Sequence, residues 1–190
     1  MPVKVAAKTA LLALAIGLLG ACQVTTGPIY LKSGYRSEFT YAAANRDTLV
    51  VISGTPFASA RAAVDDAVLA AFRQNFNEFN TRFTTAPSDK VLPPYRMVVV
   101  FGVMQPGSES DYCAGTAPAP AAETDGRLTA EAIYCGETPI AFIRSTMAKP
   151  AGPNDPAFTQ MLNQLTWQML PADDDSKAKP DYNFDRDPQG

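Results

Sequence analysis

Side chains that do chemistry are few in this chain, and one type is missing altogether. There is no histidine. That excludes a Ser-His-Asp or Cys-His nucleophile system and any metal site built on imidazole. Carboxylate, lysine and tyrosine chemistry stays open. Asp65 and Asp66 are adjacent in a helical stretch. At 3.6 residues per turn their side chains point about 100° apart, so they form no shared-proton dyad. They read as a solvated helix face.

Asp181-x-Asn183-x-Asp185 has the ligand spacing that opens an EF-hand calcium loop. The sixth position should be Gly and is Arg186, and no bidentate Glu follows. It reads as part of an acidic tail. Tyr30, Tyr35, Tyr41, Tyr95, Tyr112 and Tyr134 have faces that stack on sugars, but more simply they are sheet residues. Gly102 and Gly107 lack the spacing and the lysine of a phosphate loop. Trp167, the only tryptophan, falls opposite Phe158, Leu162 and Leu165 on a helical wheel. Either that helix is buried on both sides, which general burial tendencies favour, or Trp167 faces outward as a candidate partner contact. No residue set implies a catalytic centre, a cofactor or a metal.

The first 22 residues have a different pattern. Lys4 and Lys8 precede the apolar run Ala10–Leu19, and Gly20, Ala21 and Cys22 follow. The run falls short of the ~20 apolar residues that span a bilayer and has the length of a signal-peptide core. Leu19-Gly20-Ala21-Cys22 resembles a lipobox, the signature of bacterial lipoproteins. The resemblance covers the signal segment alone. It implies cleavage before Cys22, a diacylglyceryl thioether on the Cys22 sulfur and usually an acyl chain on its amine. Gln23 follows, where Asp commonly marks inner-membrane retention in that family. The implied location is therefore the cell envelope, with the outer membrane, facing the periplasm, favoured over the inner.

That compartment is oxidising, and with Cys22 lipidated it leaves Cys113 and Cys135 as a disulfide pair. They lack Cys-x-x-Cys spacing, which argues against a metal or redox role. The loop they close contains Ala117-Pro118-Ala119-Pro120-Ala121-Ala122, which has little bulk to bury.

These residues need elements to hold them. Residues 22–33 read as a tether after the 1–21 signal, residues 34–171 as a single domain, and residues 172–190 as an acidic disordered tail. Ser37–Ala44 and Thr48–Ser53 are strand-like, with Asn45-Arg46-Asp47 turning between them. Leu49–Ile52 and Met97–Phe101 are continuous apolar runs, predicting strands buried on both faces. Apolar residues from Ala60 through Phe76, Phe79 and Phe83 predict a helix of at least five turns. Leu128–Tyr134 and Ile140–Met147 predict a hairpin across Gly136–Pro139. Asp155 and Pro156 open a second helix that ends before Pro171. The order is ββαβ, loop, ββα. It predicts an α+β fold: a mixed or antiparallel sheet with two helices on one face.

The formal net charge is −3, and about −5 once Lys4 and Lys8 are removed. Lys and Arg are scattered singly, so nucleic acid is excluded as a partner. The expectation is a non-enzymatic accessory or adaptor lipoprotein, held to the membrane through Cys22 and docked on an envelope protein. Two alternatives make structural demands. A carboxylate-based glycan enzyme needs two carboxylates facing across a cleft, roughly 5 to 9.5 Å apart. A small-ligand carrier needs an apolar cavity of at least about 300 Å³ between sheet and helices.

Overall fold

A computed structural model describes residues 24–58 and 60–169 of the chain. The signal segment, Cys22 and the acidic tail, with Asp181, Asn183 and Asp185, lie outside the described residues. The strands are β1 Thr25–Leu31, β2 Asp47–Ser53, β3 Arg82–Thr84, β4 Arg96–Phe101, β5 Arg127–Cys135 and β6 Pro139–Ala148. The helices are α1 Tyr35–Ala43, α2 Arg61–Asn75, α3 Glu109–Ala114 and α4 Pro156–Met169. The strands form one six-stranded sheet in the order β1-β6-β5-β4-β2-β3. β2 is parallel to β3 and β4, and the other pairs are antiparallel. The class is α+β with a mixed sheet, as the element pattern predicts.

One face of the sheet carries the main core. Val50 and Ile52 from β2, Met97, Val99 and Phe101 from β4, and the even-numbered residues of β5 point into it. Helices α1, α2 and α4 cover this face with Phe39, Phe72, Phe158 and Leu165, all fully buried. Phe39 packs edge-on to Phe79 and Tyr134, with ring centroids 4.8 and 5.1 Å away. Asn75 donates to Thr166 Oγ1 at 2.7 Å, which ties α2 to α4. The opposite face is smaller. Val98, Val100, Ile133 and Cys135 are covered there by Met104, Tyr112 and Cys113.

Several expectations need correction. The stretch read as a strand from Ser37 is helix α1. Tyr35, Phe39, Ala42 and Ala43 are buried at helical spacing, and this periodicity overrides the β propensity of Phe39, Thr40 and Tyr41. The predicted first hairpin is therefore absent. The tether contains β1, which pairs with β6 at the sheet edge. Its register slips between Thr26 and Ile29, where Pro28 has no N–H to donate. The long helix stops at Asn75. A 3-10 turn, Asn77–Phe79, then leads to Asn80 at φ 48° and into β3. Phe76, Phe79 and Phe83 share one core but come from separate elements, so their spacing only imitates a helix. β2 is buried on one face, with Val51 40% exposed. The segment between β4 and β5, which the element order reads as loop, contains α3. Three helices, not two, lie on the main face.

Other expectations agree with the structure. β4 is buried on both faces. β5 and β6 form the hairpin. Asp155 caps α4 by accepting from Ala157 N at 2.9 Å, and Pro156 is the first helical residue. Cys113 and Cys135 are disulfide-bonded across 22 residues of sequence. The bond pins α3 to β5 over the smaller face. Replacing both cysteines by serine should cost about 3 kcal/mol by loop-closure entropy. Urea unfolding of the oxidised protein and the double variant measures this, with the 104–126 segment becoming the first site of proteolysis.

Candidate functional site

Parallel pairing places the starts of β2 and β3 side by side. The turn before each strand is therefore brought to one end of the sheet. Each turn begins with an asparagine in the left-handed region, Asn45 at φ 58° and Asn80 at φ 48°. Asparagine tolerates this conformation better than other residues with a Cβ. The two are locked together. Asn80 Nδ2 donates to Asn45 Oδ1 at 2.6 Å, and Asn45 N donates to Asn80 O at 3.1 Å. Thr81 Oγ1 donates to Arg46 O at 3.0 Å.

Asp47 sits beneath these turns, 5% exposed. Its carboxylate accepts from Arg82 Nε at 3.1 Å, from Arg82 Nη2 and from Ser88 Oγ at 2.6 Å. Its own N–H donates to Lys90 O at 3.3 Å. Hydrogen bonds from Arg82 and Ser88, with the nearby positive charges, lower its pKa to about 2. Asp47 in turn raises the Arg82 guanidinium. Asp47 is satisfied by Arg82 and Ser88, and Arg46 and Lys90 add further cations at the rim. Asn45, Arg46, Asp47, Asn80, Thr81, Arg82 and Lys90 line an open bowl of about 490 Å³. Three cations face one carboxylate there, on a chain of net negative charge. The bowl can hold a negatively charged group by charge and hydrogen bonding.

The opposite ends of the parallel strands, where open α/β sheets commonly bind ligands, are closed. Gly54 (φ 84°) follows β2 and Gly102 (φ 118°) follows β4. A Cβ on Gly102 would lie 2.6 Å from Ala121 O, and one on Gly54 would collide with Phe101 O. Pro120 and Ala121 pack directly onto this backbone.

A second polar group lies on the smaller face. Glu131 of β5 is opposite Arg144 of β6. Glu131 is 2% exposed, and its Oε2 accepts from Arg144 Nε at 2.7 Å. Oε1 is buried without a partner among the described residues. Burial raises the Glu131 pKa against the opposing pull of Arg144, and Glu109 adds to the rise. Neither Glu131 nor Glu109 lines either of the openings described, the bowl or a void of about 10 Å³ beside Tyr134.

The sequence-predicted residues are scattered. Trp167 is 58% exposed, so the favoured reading of a buried tryptophan is overturned. α4 packs into the core through Phe158, Met161, Leu162 and Leu165, and Thr159, Gln160 and Trp167 are exposed on its other side. Asp65 pairs with Arg61 at 2.8 Å on the surface of α2. Four of the six tyrosines form a chain of ring contacts that runs from Tyr41, 66% exposed, through Tyr95 to the buried Tyr134 and Tyr35, while Tyr30 stacks on Phe142 and Tyr112 lies under the stapled loop. No group of three His, Cys, Asp or Glu that could hold a metal occurs among the described residues. No described helix is long and apolar enough to cross a membrane.

The bowl was hidden in the sequence because Asn45 read as a hairpin turn and Asn80 as helix. Its one signal is an asparagine two residues ahead of each strand, Asn45 before Asp47 and Asn80 before Arg82. Comparisons with family models, curated proteins and solved structures find no match for this chain.

The depressed pKa of Asp47 has a definite sign. A carboxylate with a folded pKa near 2, against 3.8 for the free group, contributes stability above pH 4 and loses it as the pH falls toward 2. Asp47→Asn should lower the urea midpoint at neutral pH and flatten its decline between about pH 4 and 2. An unchanged acid limb in the variant would show that the clamp is energetically idle.

Proposed function

We propose that this protein is a lipid-anchored component of the bacterial cell envelope, a non-enzymatic accessory or adaptor lipoprotein whose bowl contacts an envelope partner. The observation that carries this reading is the polarity of the domain. β1 begins at Thr25, three residues after the proposed lipid site at Cys22. Thr25 pairs with Thr146, Thr146 with Thr129, and Gly102 N donates to Thr129 O at 3.0 Å, so these residues form one row at one end of the sheet. The bowl lies at the other end, beyond the start of β2, and a seven-residue strand spans roughly 20 Å. An anchor at one end and an open, cation-rich surface at the other suit a protein that links the membrane to something above it. The charge of the bowl favours an acidic surface on that partner.

The rival readings have less support. A carrier needs an apolar chamber, and the void beside Tyr134 has the size of one water. A carboxylate enzyme would rest on Glu131, whose acceptor pairing to Arg144 and burial leave it no described opening to substrate.

Two experiments test the proposal. Cys22→Ser should yield a precursor that keeps its signal segment and gains no lipid, seen by mass spectrometry of the membrane fraction. Normal processing of that variant would remove the anchor from the reading. In-cell crosslinking from the bowl should capture one reproducible envelope protein with the native chain, and the capture should fail with Arg46→Glu/Lys90→Glu. Equal capture by the double variant, or no reproducible capture by the native chain, refutes the adaptor role.

A further inference from the structure

Trp167 is exposed on α4, and its neighbour in sequence fixes where it lies. Gln168 Nε2 donates to Thr26 Oγ1 at 3.2 Å, so this end of α4 lies against the first residues of β1. Thr26 is four residues from Cys22. An extended chain covers at most about 3.6 Å per residue, so these four residues reach no more than about 14 Å. The segment between the proposed lipid site and the folded sheet is therefore too short to hold the domain clear of a bilayer.

We infer that Trp167 seats in the membrane interface beside the lipid anchor, and that this contact fixes the domain's orientation on the bilayer. The inference rests on the lipoprotein reading above. Tryptophan suits this position because its ring is apolar and its N–H remains hydrogen-bonded at headgroup depth. The surroundings agree. Val103, 50% exposed, follows Gly102 at the same end of the sheet as Thr25. Lys149 and Arg127 are there too. Lys149 N donates to Gly126 O at 2.8 Å, and Arg127 pairs in register with Ala148. Arg127 is faced by Asp125 at 3.9 Å, which leaves Lys149 as the cation available to anionic headgroups. Seating the anchor, Trp167 and Val103 together would turn this end of the sheet toward the bilayer. The bowl then points away from the membrane.

Trp167 is the chain's single tryptophan, so its fluorescence reports on this contact alone. The test uses the full lipidated protein in vesicles of phosphatidylethanolamine and phosphatidylglycerol, with and without brominated acyl chains. Trp167→Phe supplies the blank. The expected result is a blue-shifted emission, most of it lost to the brominated lipid and little of it to aqueous iodide. Protein that floats with the vesicles but keeps a red, iodide-quenched emission overturns the inference and leaves the anchor intact. A protein partner as the true occupant of Trp167 gives that same result in protein-free vesicles. Protein from cells that carries no lipid on Cys22 and does not float overturns the anchor reading, and this inference with it.

Discussion

β2 runs parallel to both of its neighbours, and this constraint organises the molecule. Parallel strands cannot be joined by a tight turn and need a crossover, usually a helix. Here α2 makes the crossover from β2 to β3, and a long return then brings the chain to β4 on the other side of β2. Since α2 must lie on the sheet, its apolar stripe of Val64, Val68 and Phe72 is buried in the main core, with Phe72 stacked on Phe83 of β3 at 5.1 Å. The same pairing aligns the starts of β2 and β3. Without it Asn45 and Asn80 would be unrelated surface turns, and Asp47 would have no Arg82 beside it. The bowl is thus a product of topology before it is a product of any one side chain.

The two faces of the sheet are held by different physics. The main face is closed by burial of large aromatic and aliphatic side chains under three helices, which needs no covalent help. The smaller face is covered by one short helix and a loop rich in alanine and proline. A six-residue helix nucleates poorly in isolation. The disulfide from Cys113 to Cys135 supplies what burial cannot, and a guanidinium–carboxylate pair lies four residues back along β5 on the same face. Arg144 compensates the buried charge of Glu131, whose raised pKa reflects the cost of placing a carboxylate under that cover.

The elements that were legible in the sequence are those whose local signals and tertiary roles coincide. Asp155 and Pro156 start α4 because capping and backbone preference act within a few residues. The turn at Gly136–Pro139 and the flanking alternation make the β5–β6 hairpin a local structure. The bowl was illegible because it joins residues 45 and 80 through strand pairing that no local pattern encodes. α1 is not legible locally because Phe39, Thr40 and Tyr41 favour strands singly, while burial of Tyr35, Phe39 and Ala43 decides the matter collectively. Phe76, Phe79 and Phe83 show the converse. Their helical spacing is real, but each reaches the same core from a different element.

The pairing of β1 with β6 bears most on function. A free spacer of about a dozen residues would let the domain rotate and would make the position of any surface feature irrelevant to the membrane. Incorporating Thr25–Leu31 into the sheet removes that freedom. If Cys22 carries lipid as proposed, the same residues that complete the sheet edge also determine which end of the domain meets the bilayer. An exposed tryptophan beside β1 and a cationic bowl beyond the far ends of the strands are then no longer independent surface details. A short connection converts the fold's internal direction, set by the parallel pairing of β2, into a direction relative to the membrane. A partner that meets the bowl would approach from the side away from the lipid.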